Sequence, residues 1–377
     1  MLPTLKAYEM SAKRIIDFLP EFYEPLLPQF FHRTIPSEDL ATCDACAMCR
    51  REGEPRLPEA YYYRPDSKCC TFYPSLPNYA VGALLLTQAT SLNKGKRRVQ
   101  ALIEQGIGAI PHGLMSHPEY DIKYNKLRDR YFGKLPLLLC PYYDKDQDRC
   151  SIWPFRNSVC ITYFCMSVRG HFGILFWESV RLYLSHIEEV LSAYALQAMG
   201  WPEDLVLQTS ITKGQGRIDP ASRKAHPPKF KPPFAPSLWM HHEGDKEKVY
   251  IEAYKLVSKL NSKDTESLAG APSLTLLREV RQTYKRMQSK KIPERLKKND
   301  SLKTMKRGGN VYLLLPNQGA YTVLETIWLA LKYFNGERSC KEVVELVKKN
   351  HNFILTRSFL LALLRNSILV PVSQKEA

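Results

Sequence analysis

Several familiar signatures are missing from this sequence, and each absence removes a class of function. No stretch reaches eighteen apolar residues without a charge, so a membrane-spanning helix and membrane insertion are not expected. The apolar run Phe172–Trp177 meets Glu178 at once and Arg181 soon after. The N-terminus has neither an unbroken apolar h-region nor a small-residue cleavage site, which argues against a secretory leader and for a cytoplasmic location. No glycine-rich nucleotide loop follows a clear strand, and the turns at Gly106-Ile107-Gly108 and Gly308-Gly309 are too slight to serve as one. There is no nucleophile elbow to suggest a serine hydrolase. Asp144, Asp146 and Asp148 alternate, but the glycine and distal glutamate of a calcium loop are absent, so a solvated turn is expected. Internal repeats are also absent.

Acidic residues are in deficit. Against 54 Lys and Arg stand 38 Asp and Glu, a formal charge of +16. Such a charge favours nucleic acid, anionic surfaces or acidic proteins without choosing among them. From Arg281 to Arg307 there are eleven basic residues and only Glu294 and Asp300 opposing them. Tyr284 is the one aromatic residue inside that stretch, so a charged helix face and tether is the expected reading, with nucleic-acid binding the weaker one.

With 44% hydrophobic and 24% charged residues, the composition is that of a globular protein, and 377 residues suit two or three domains. Residues 1–35 suggest one or two short helices broken by Pro20, Pro25 and Pro28. Asn93–Gly106 reads as a helix capped by Asn93, with Val99, Leu102 and Ile103 inward and Gly106 as its stop. The strongest helical pattern covers about 173–199, with Phe176, Val180, Tyr183, Leu184, Ile187, Leu191, Tyr194 and Ala198 at steps of three and four. Gly200 and Pro202 end it. Further helices are expected over 246–260 and 273–287. Between them and the long helix, His226–Pro236 holds five prolines in eleven residues, which favours an extended strap. Beyond residue 301 the pattern is strand (Val311–Leu315), three helices (322–333, 340–350, 356–365) and a closing strand (Ile368–Val372). The expected fold class is α+β, mostly α. A loop-rich cysteine metal-cluster domain packed on helices (1–225) is followed by a proline-rich linker and basic helical region (226–300) and a small winged-helix-like domain (301–377).

The cysteines carry the chemistry. Nine of the ten lie between Cys43 and Cys165, and Cys340 stands alone. In a reducing compartment such a cluster indicates metal rather than disulfides. Cys43, Cys46 and Cys49 are spaced C-x2-C-x2-C, which lets a turn direct thiolates at one ion, in zinc and iron–sulfur sites alike. Cys69 and Cys70 are adjacent; in an extended chain they would point opposite ways, so serving one site requires a backbone turn. Cys140, Cys150, Cys160 and Cys165 complete the set. Nine thiols suffice for two four-coordinate centres with one spare, or for one centre with several structural thiols. The metal is open between zinc and iron–sulfur, and between a structural and a catalytic or redox use.

These residues resemble the YkgJ-type cysteine-cluster family of zinc- or iron-chelating proteins over about 40–170. The matching features are C-x2-C-x2-C with a double Cys, Cys140-Pro141-Tyr142, Cys150-Ser151-Ile152-Trp153, Arg156 four residues before Cys160, and Tyr163 with Cys165. Asn157, Ile161 and Phe164 depart from the family pattern, and the double Cys is displaced from the first group. The resemblance implies that the nine cysteines are metal ligands, with Arg156 as a donor to thiolate or substrate. Flagellin lysine N-methylases resemble the family in cysteine pattern, so methyl transfer to protein lysine is an implied activity. The last 70 or so residues resemble PqqD-like modules, winged-helix-like peptide carriers, through Val311-Tyr312-Leu313-Leu314, Asn317-Gln318-Gly319-Ala320, the helix 322–333 and Asn335-Gly336. That likeness implies docking of a peptide or protein.

Histidines are the other ligand candidates. His171 follows Cys165 closely and ranks first, as a fifth ligand type or a donor beside the ligands. His112 and His117 could face a metal, but surface positions are expected for both, as for His241 and His242. Tyr61, Tyr62, Tyr63, Phe72, Tyr73, Tyr142 and Tyr143 could form an aromatic shell around the centre or simply pack there. Two functions follow as expectations: a cytoplasmic metalloprotein that takes part in modifying a protein or peptide, or a non-enzymatic zinc-stabilised protein that binds nucleic acid or a protein partner.

Overall fold

The computed structural model describes residues 11–44, 46–50, 62–214, 236–307, 309–315 and 320–372. Its fold is α+β, mostly α, with small antiparallel sheets. The chain opens with the paired strands β1 (Ala12–Arg14) and β2 (Thr34–Pro36), which enclose three short 3-10 turns in place of the expected helices. Pro20 and Pro28 each stand just before one of these turns, where a missing N–H costs nothing and continuation of a longer helix is blocked.

Strand β3 (Leu76–Pro77) leads into α1 (Asn78–Leu86), buried over nearly its whole length. In α2 (Asn93–Glu104), Val99 and Ile103 face the core. Asn93 is the first helical residue of α2, not its cap, because the 3-10 turn Thr90–Leu92 runs directly into the helix. Gly106 ends α2 at φ 67°, as its sequence position suggests. β4 (Ala109–Ile110) and β5 (Gly113–Leu114) pair in the order β3-β5-β4. α3 (Pro118–Tyr131) follows, then the hairpin β6 (Tyr143–Asp144) and β7 (Arg149–Cys150), and the single turn and a half of α4 (Ser158–Thr162).

The long helix α5 (Gly170–Ala198) matches its periodicity: Phe176, Val180, Tyr183, Leu184, Ile187 and Leu191 are all buried. Gly200 at φ 87° allows Trp201 to bond back to the Leu196 carbonyl and close the helix end. α6 (Glu203–Gly214) follows, and the proline-dense strap 226–235 lies outside the described residues. α7 (Lys246–Val257) and α8 (Ser262–Gln288) lie in the region assigned to a linker, yet Ala253, Val257, Leu277, Val280 and Met287 enter the same core as α5 and the N-terminal turns. α8 is interrupted at Gly270 (φ 60°), just before Pro272. The mostly charged face of this region conceals an apolar stripe that only its partner α5 makes visible.

The C-terminal module begins earlier than residue 301. β8 (Arg295–Lys298) is its middle strand, between β12 (Asn335–Ser339) and β13 (Leu369–Pro371). β9 (Lys303–Arg307), β10 (Asn310–Leu314) and β11 (Ala320–Leu324) form a second sheet in the order β11-β10-β9. The three expected helices are α9 (Glu325–Leu331), α10 (Cys340–His351) and α11 (Arg357–Arg365). Ser339 and Glu342 form a reciprocal cap at α10, and Thr356 caps α11. Of the expected turn at 317–320, only Ala320 is described. Cys340 lies in this module's core and donates to the Pro293 carbonyl at 3.2 Å, away from the other thiols.

Two buried carboxylates fix the long helix to the loops that carry cysteines. Glu38 accepts from Trp177 Nε1 and Ser167 Oγ, both at 2.8 Å, and from the Val168 amide at 2.9 Å. Glu188 accepts from the Tyr23 hydroxyl at 2.9 Å and from the Ser158 amide and hydroxyl at 2.5 and 2.7 Å. The second of these holds the N-terminus of α4, and with it Cys160, against α5.

Candidate metal centre

All ten cysteines are free thiols. The turn before the double Cys is tight, with Lys68 at φ 49°, and it brings Cys69 and Cys70 into a mutual hydrogen bond through sulfur. The backbone thus turns where sequence reasoning required it to. The neighbouring thiols of Cys165 and Cys49 hold Cys46 well below the usual thiol range and are themselves pushed up by it. Burial pushes Cys43 up to about 11, with Cys69 as the next cause. Cys140 and Cys160 are raised chiefly by burial, and then by neighbouring cysteines, Cys69 among them. Cys69 is thus an electrostatic neighbour of Cys43, Cys49, Cys70, Cys140, Cys150, Cys160 and Cys165.

Local geometry sets each ligand segment. Cys49 sits in a one-residue bridge to Tyr63, and its amide bonds the Cys46 carbonyl at 3.1 Å. The Cys140 amide bonds the Cys70 carbonyl at 2.8 Å, tying the second cysteine group to the third. Cys150 pairs with Tyr143 across the β6–β7 hairpin. Asn157 caps α4 by accepting from the Cys160 amide at 3.1 Å.

Three cations surround the thiols. Arg156 lies over the Trp153 ring at 3.4 Å and donates to the Cys160 carbonyl at 3.0 Å; its charge favours the thiolates of Cys43, Cys69, Cys150 and Cys160. Its printed hydrogen bonds go to the Trp153 and Cys160 carbonyls, whereas the expectation was a donor to thiolate or substrate. Lys68 and Arg98 were not anticipated. Lys68 donates to the Cys43 and Asp148 carbonyls at 2.9 and 2.8 Å, and Arg98 to the Tyr143 carbonyl at 2.9 Å. Lys68 directly precedes the double Cys, which was a readable signal; Arg98 belongs to a basic helix with nothing local to single it out.

His171, in the first turn of α5, has its pKa lowered by burial and then by Arg286, and no cysteine is among those causes. His112 is fully buried, with Nε2 at 3.0 Å from Glu189, so the expected surface position is wrong: β5 and its neighbours fold over it. His117 caps α3 through Nδ1, accepting from the Glu119 amide at 3.2 Å. His242 stacks on Trp201. Nor is the Asp144–Asp148 turn simply solvated, since Asp144 is buried and, with Asp146, takes the ammonium of Lys94.

Aromatic rings do gather near the thiols. Tyr63 and Tyr163 share a hydroxyl hydrogen bond of 2.8 Å and pack edge-on to Phe132. Tyr73, Tyr120 and Tyr142 form a second group near Cys140. Tyr62 packs instead on the C-terminal module, beside Tyr312; Tyr61 lies outside the described residues. In the basic stretch, Tyr284 packs edge-on to Phe30 and Phe176, and Arg281 and Arg286 lie over Phe30 and Phe172.

Beside the second aromatic group, burial raises the Asp121 carboxyl from 3.8 to about 6, while Ser116 donates to it. A folded pKa above the unfolded one favours folding fully below pH 3.8, and that contribution is lost as pH rises through about 6. Asp121→Asn is therefore expected to raise the melting temperature at neutral pH and leave it unchanged below pH 3.8. Equal effects at the two pH values would refute this.

The thiols suit a soft metal. Sulfurs bound tetrahedrally at about 2.3 Å to zinc lie roughly 3.8 Å apart, which is also the reach of a thiol–thiol hydrogen bond. Among the described residues no group of three or more His, Cys, Asp and Glu side chains is placed to hold a metal ion. No described helix is long and apolar enough to cross a membrane. Compared with family models, curated proteins and solved structures, the chain matches none.

Proposed function

We propose that this chain is a cysteine-thiolate metalloprotein, holding zinc or an iron–sulfur cluster, that takes part in modifying a protein or peptide. The observation that supports the metal reading is the sequence placement of nine cysteines between Cys43 and Cys165, with Lys68, Arg98 and Arg156 donating to backbone carbonyls of Cys43, Tyr143 and Cys160 beside them. Cys43, Cys46, Cys49, Cys69, Cys70, Cys140, Cys150, Cys160 and Cys165 are the ligand candidates. Bound zinc would organise the loops or act as a Lewis acid, and a cluster would supply electron transfer. Arg156 and Lys68 would hold the ligand backbone and favour the ionised thiols. The modification reading rests on the YkgJ-type resemblance, within which methyl transfer to lysine is the implied example. The PqqD-like resemblance makes the C-terminal module the docking site for a peptide or protein.

The test is anaerobic purification with metal analysis and a visible spectrum on one sample. Brown protein with iron and acid-labile sulfide would support a cluster and direct assays to peptide modification. Colourless protein with stoichiometric zinc, together with salt-sensitive nucleic-acid binding, would favour a zinc-stabilised binding protein instead. The absence of both metals from carefully reduced material would refute the metal reading.

A further inference from the structure

We infer that Arg169 and Arg365 form a binding site for a phosphate-class oxyanion, where the start of α5 meets the end of α11. Neither arginine is a candidate metal ligand, so the site stands or falls separately from the metal reading.

Three arginines from three elements gather at the first turn of α5. Arg169 directly precedes Gly170, the first residue of that helix. Arg365 is the last residue of α11. The two helix ends touch: a Cβ at Gly170 would lie 2.3 Å from Asn366 Oδ1 and 2.7 Å from the Arg365 carbonyl oxygen. Arg286, from the last turn of α8, lies over the ring of Phe172 at 4.4 Å. Arg365 also donates through Nη2 to the Ser289 carbonyl at 3.1 Å, which ties its guanidinium to the chain just past α8.

These charges lack what buried charges need. Arg169 and Arg365 are partly buried, and the Nε of each is shut off from solvent with no hydrogen-bond acceptor. Among the described residues no carboxylate forms an ion pair with Arg169, Arg286 or Arg365. Glu38 is the acid that acts on Arg169, but its oxygens already accept from Ser167, Trp177 and the Val168 amide. Leaving a buried donor unmade costs free energy, and leaving a buried charge unpaired costs more. Burial first, and then the charge of Arg169, lower Arg365 to about 10.

A tetrahedral oxyanion answers both needs. A guanidinium fork offers parallel N–H groups that match two oxygens of one anion, and two forks can share one phosphate. A phosphate dianion carries enough charge to offset two arginines, whereas a carboxylate carries half of it. The start of the 29-residue α5 adds a favourable field for negative charge. α5 belongs to the core shared with the N-terminal turns and α11 to that of the C-terminal module, so a bound anion would join the two.

The experiment follows thermal unfolding of the full-length protein in inorganic phosphate and in sodium chloride of equal ionic strength, with a nucleoside monophosphate as a third arm. Phosphate is expected to raise the melting temperature by ~2 °C or more over chloride. A larger shift with the nucleoside monophosphate would assign the site to a phosphoryl group carried on a small molecule; a shift with phosphate alone would assign it to the free anion. Arg169→Gln and Arg365→Gln should each weaken phosphate binding about tenfold, the loss of one charge-assisted bond. Arg278→Gln, at an exposed position of α8, should keep the unmodified response and so exclude a general effect of the basic surface. Because a glutamine variant can fail to fold, phosphorus NMR of phosphate with the unmodified protein is a second readout. Line broadening reversed by sulfate, but not by chloride of equal ionic strength, is expected. Melting temperatures that are the same in all three salts, the absence of such broadening, or a phosphate response undiminished in both folded glutamine variants would overturn the site.

Discussion

On the metal reading proposed above, stripping the metal from the reduced protein is expected to unfold the cysteine-bearing loops and remove most of the stability of those loops. The regular structure there is short: two-residue strands at β6 and β7 and five residues in α4. Such elements are not stable by themselves, and a structural thiolate zinc site can contribute on the order of 10–16 kcal/mol of apparent binding energy to folding. That is comparable to the whole stability of an ordinary domain, about 5–15 kcal/mol. The effect should be local. α5, α7, α8 and the N-terminal turns share a core of Ile15, Phe31, Phe176, Trp177 and Leu191 that contains no cysteine. Chelation should therefore expose 62–75 and 135–169 to protease while most helical circular dichroism persists. Unchanged proteolysis and an unchanged melting temperature after complete metal removal would sink this expectation.

Replacing Gly82 with valine is expected to be strongly damaging. A Cβ at Gly82 would lie 1.9 Å from the carbonyl oxygen of Tyr250, 2.6 Å from its carbon and 2.9 Å from Tyr254 Cβ. The obstacle is backbone of α7, which no rotamer change relieves. α1 and α7 must separate, and α1 is buried along nearly its whole length, so separation opens voids on its other faces. Overpacking usually costs about 1–3 kcal/mol, and a backbone clash between two buried helices should exceed that range. Gly200→Ala is the control. Nothing lies within 4 Å of a Cβ there, and only the φ of 87° opposes the change, so a loss of about 1–2 kcal/mol is expected. Urea unfolding of the two variants should differ clearly; equal midpoints would show that α1 and α7 can slide apart at little cost.

The basis of legibility differs from element to element. α5 was readable because a long helix with one buried face repeats its apolar residues at a fixed step, and that step is a property of the chain alone. α10 and α11 carried cap residues as well, Ser339 with Glu342 and Thr356. α3 was missed although its ends were marked. Pro118 stands at its first position, Glu119 and Asp121 in its first turn, and Arg128 and Arg130 in its last, all of which favour a helix through its dipole. The strands β8 and β9, RLKK and KTMKR, were unreadable for a physical reason: their side chains are mostly charged, and what makes them strands is pairing with distant partners.

By itself the sequence determined which atoms are available for chemistry, nine clustered thiols with one arginine among them, and where long local periodicity runs, as in α5 and the helices of the C-terminal module. Both are written in spacing along the chain. Only the tertiary structure decided that Lys68 and Arg98 join Arg156 near the cysteine loops, that His171 lies by Arg286, that His112 is buried, and that α7 and α8 belong to the main core. Each of these depends on contacts between residues far apart in the chain. A spacing rule records that a face is buried or a ligand exposed, but it carries no information about which distant surface closes over it.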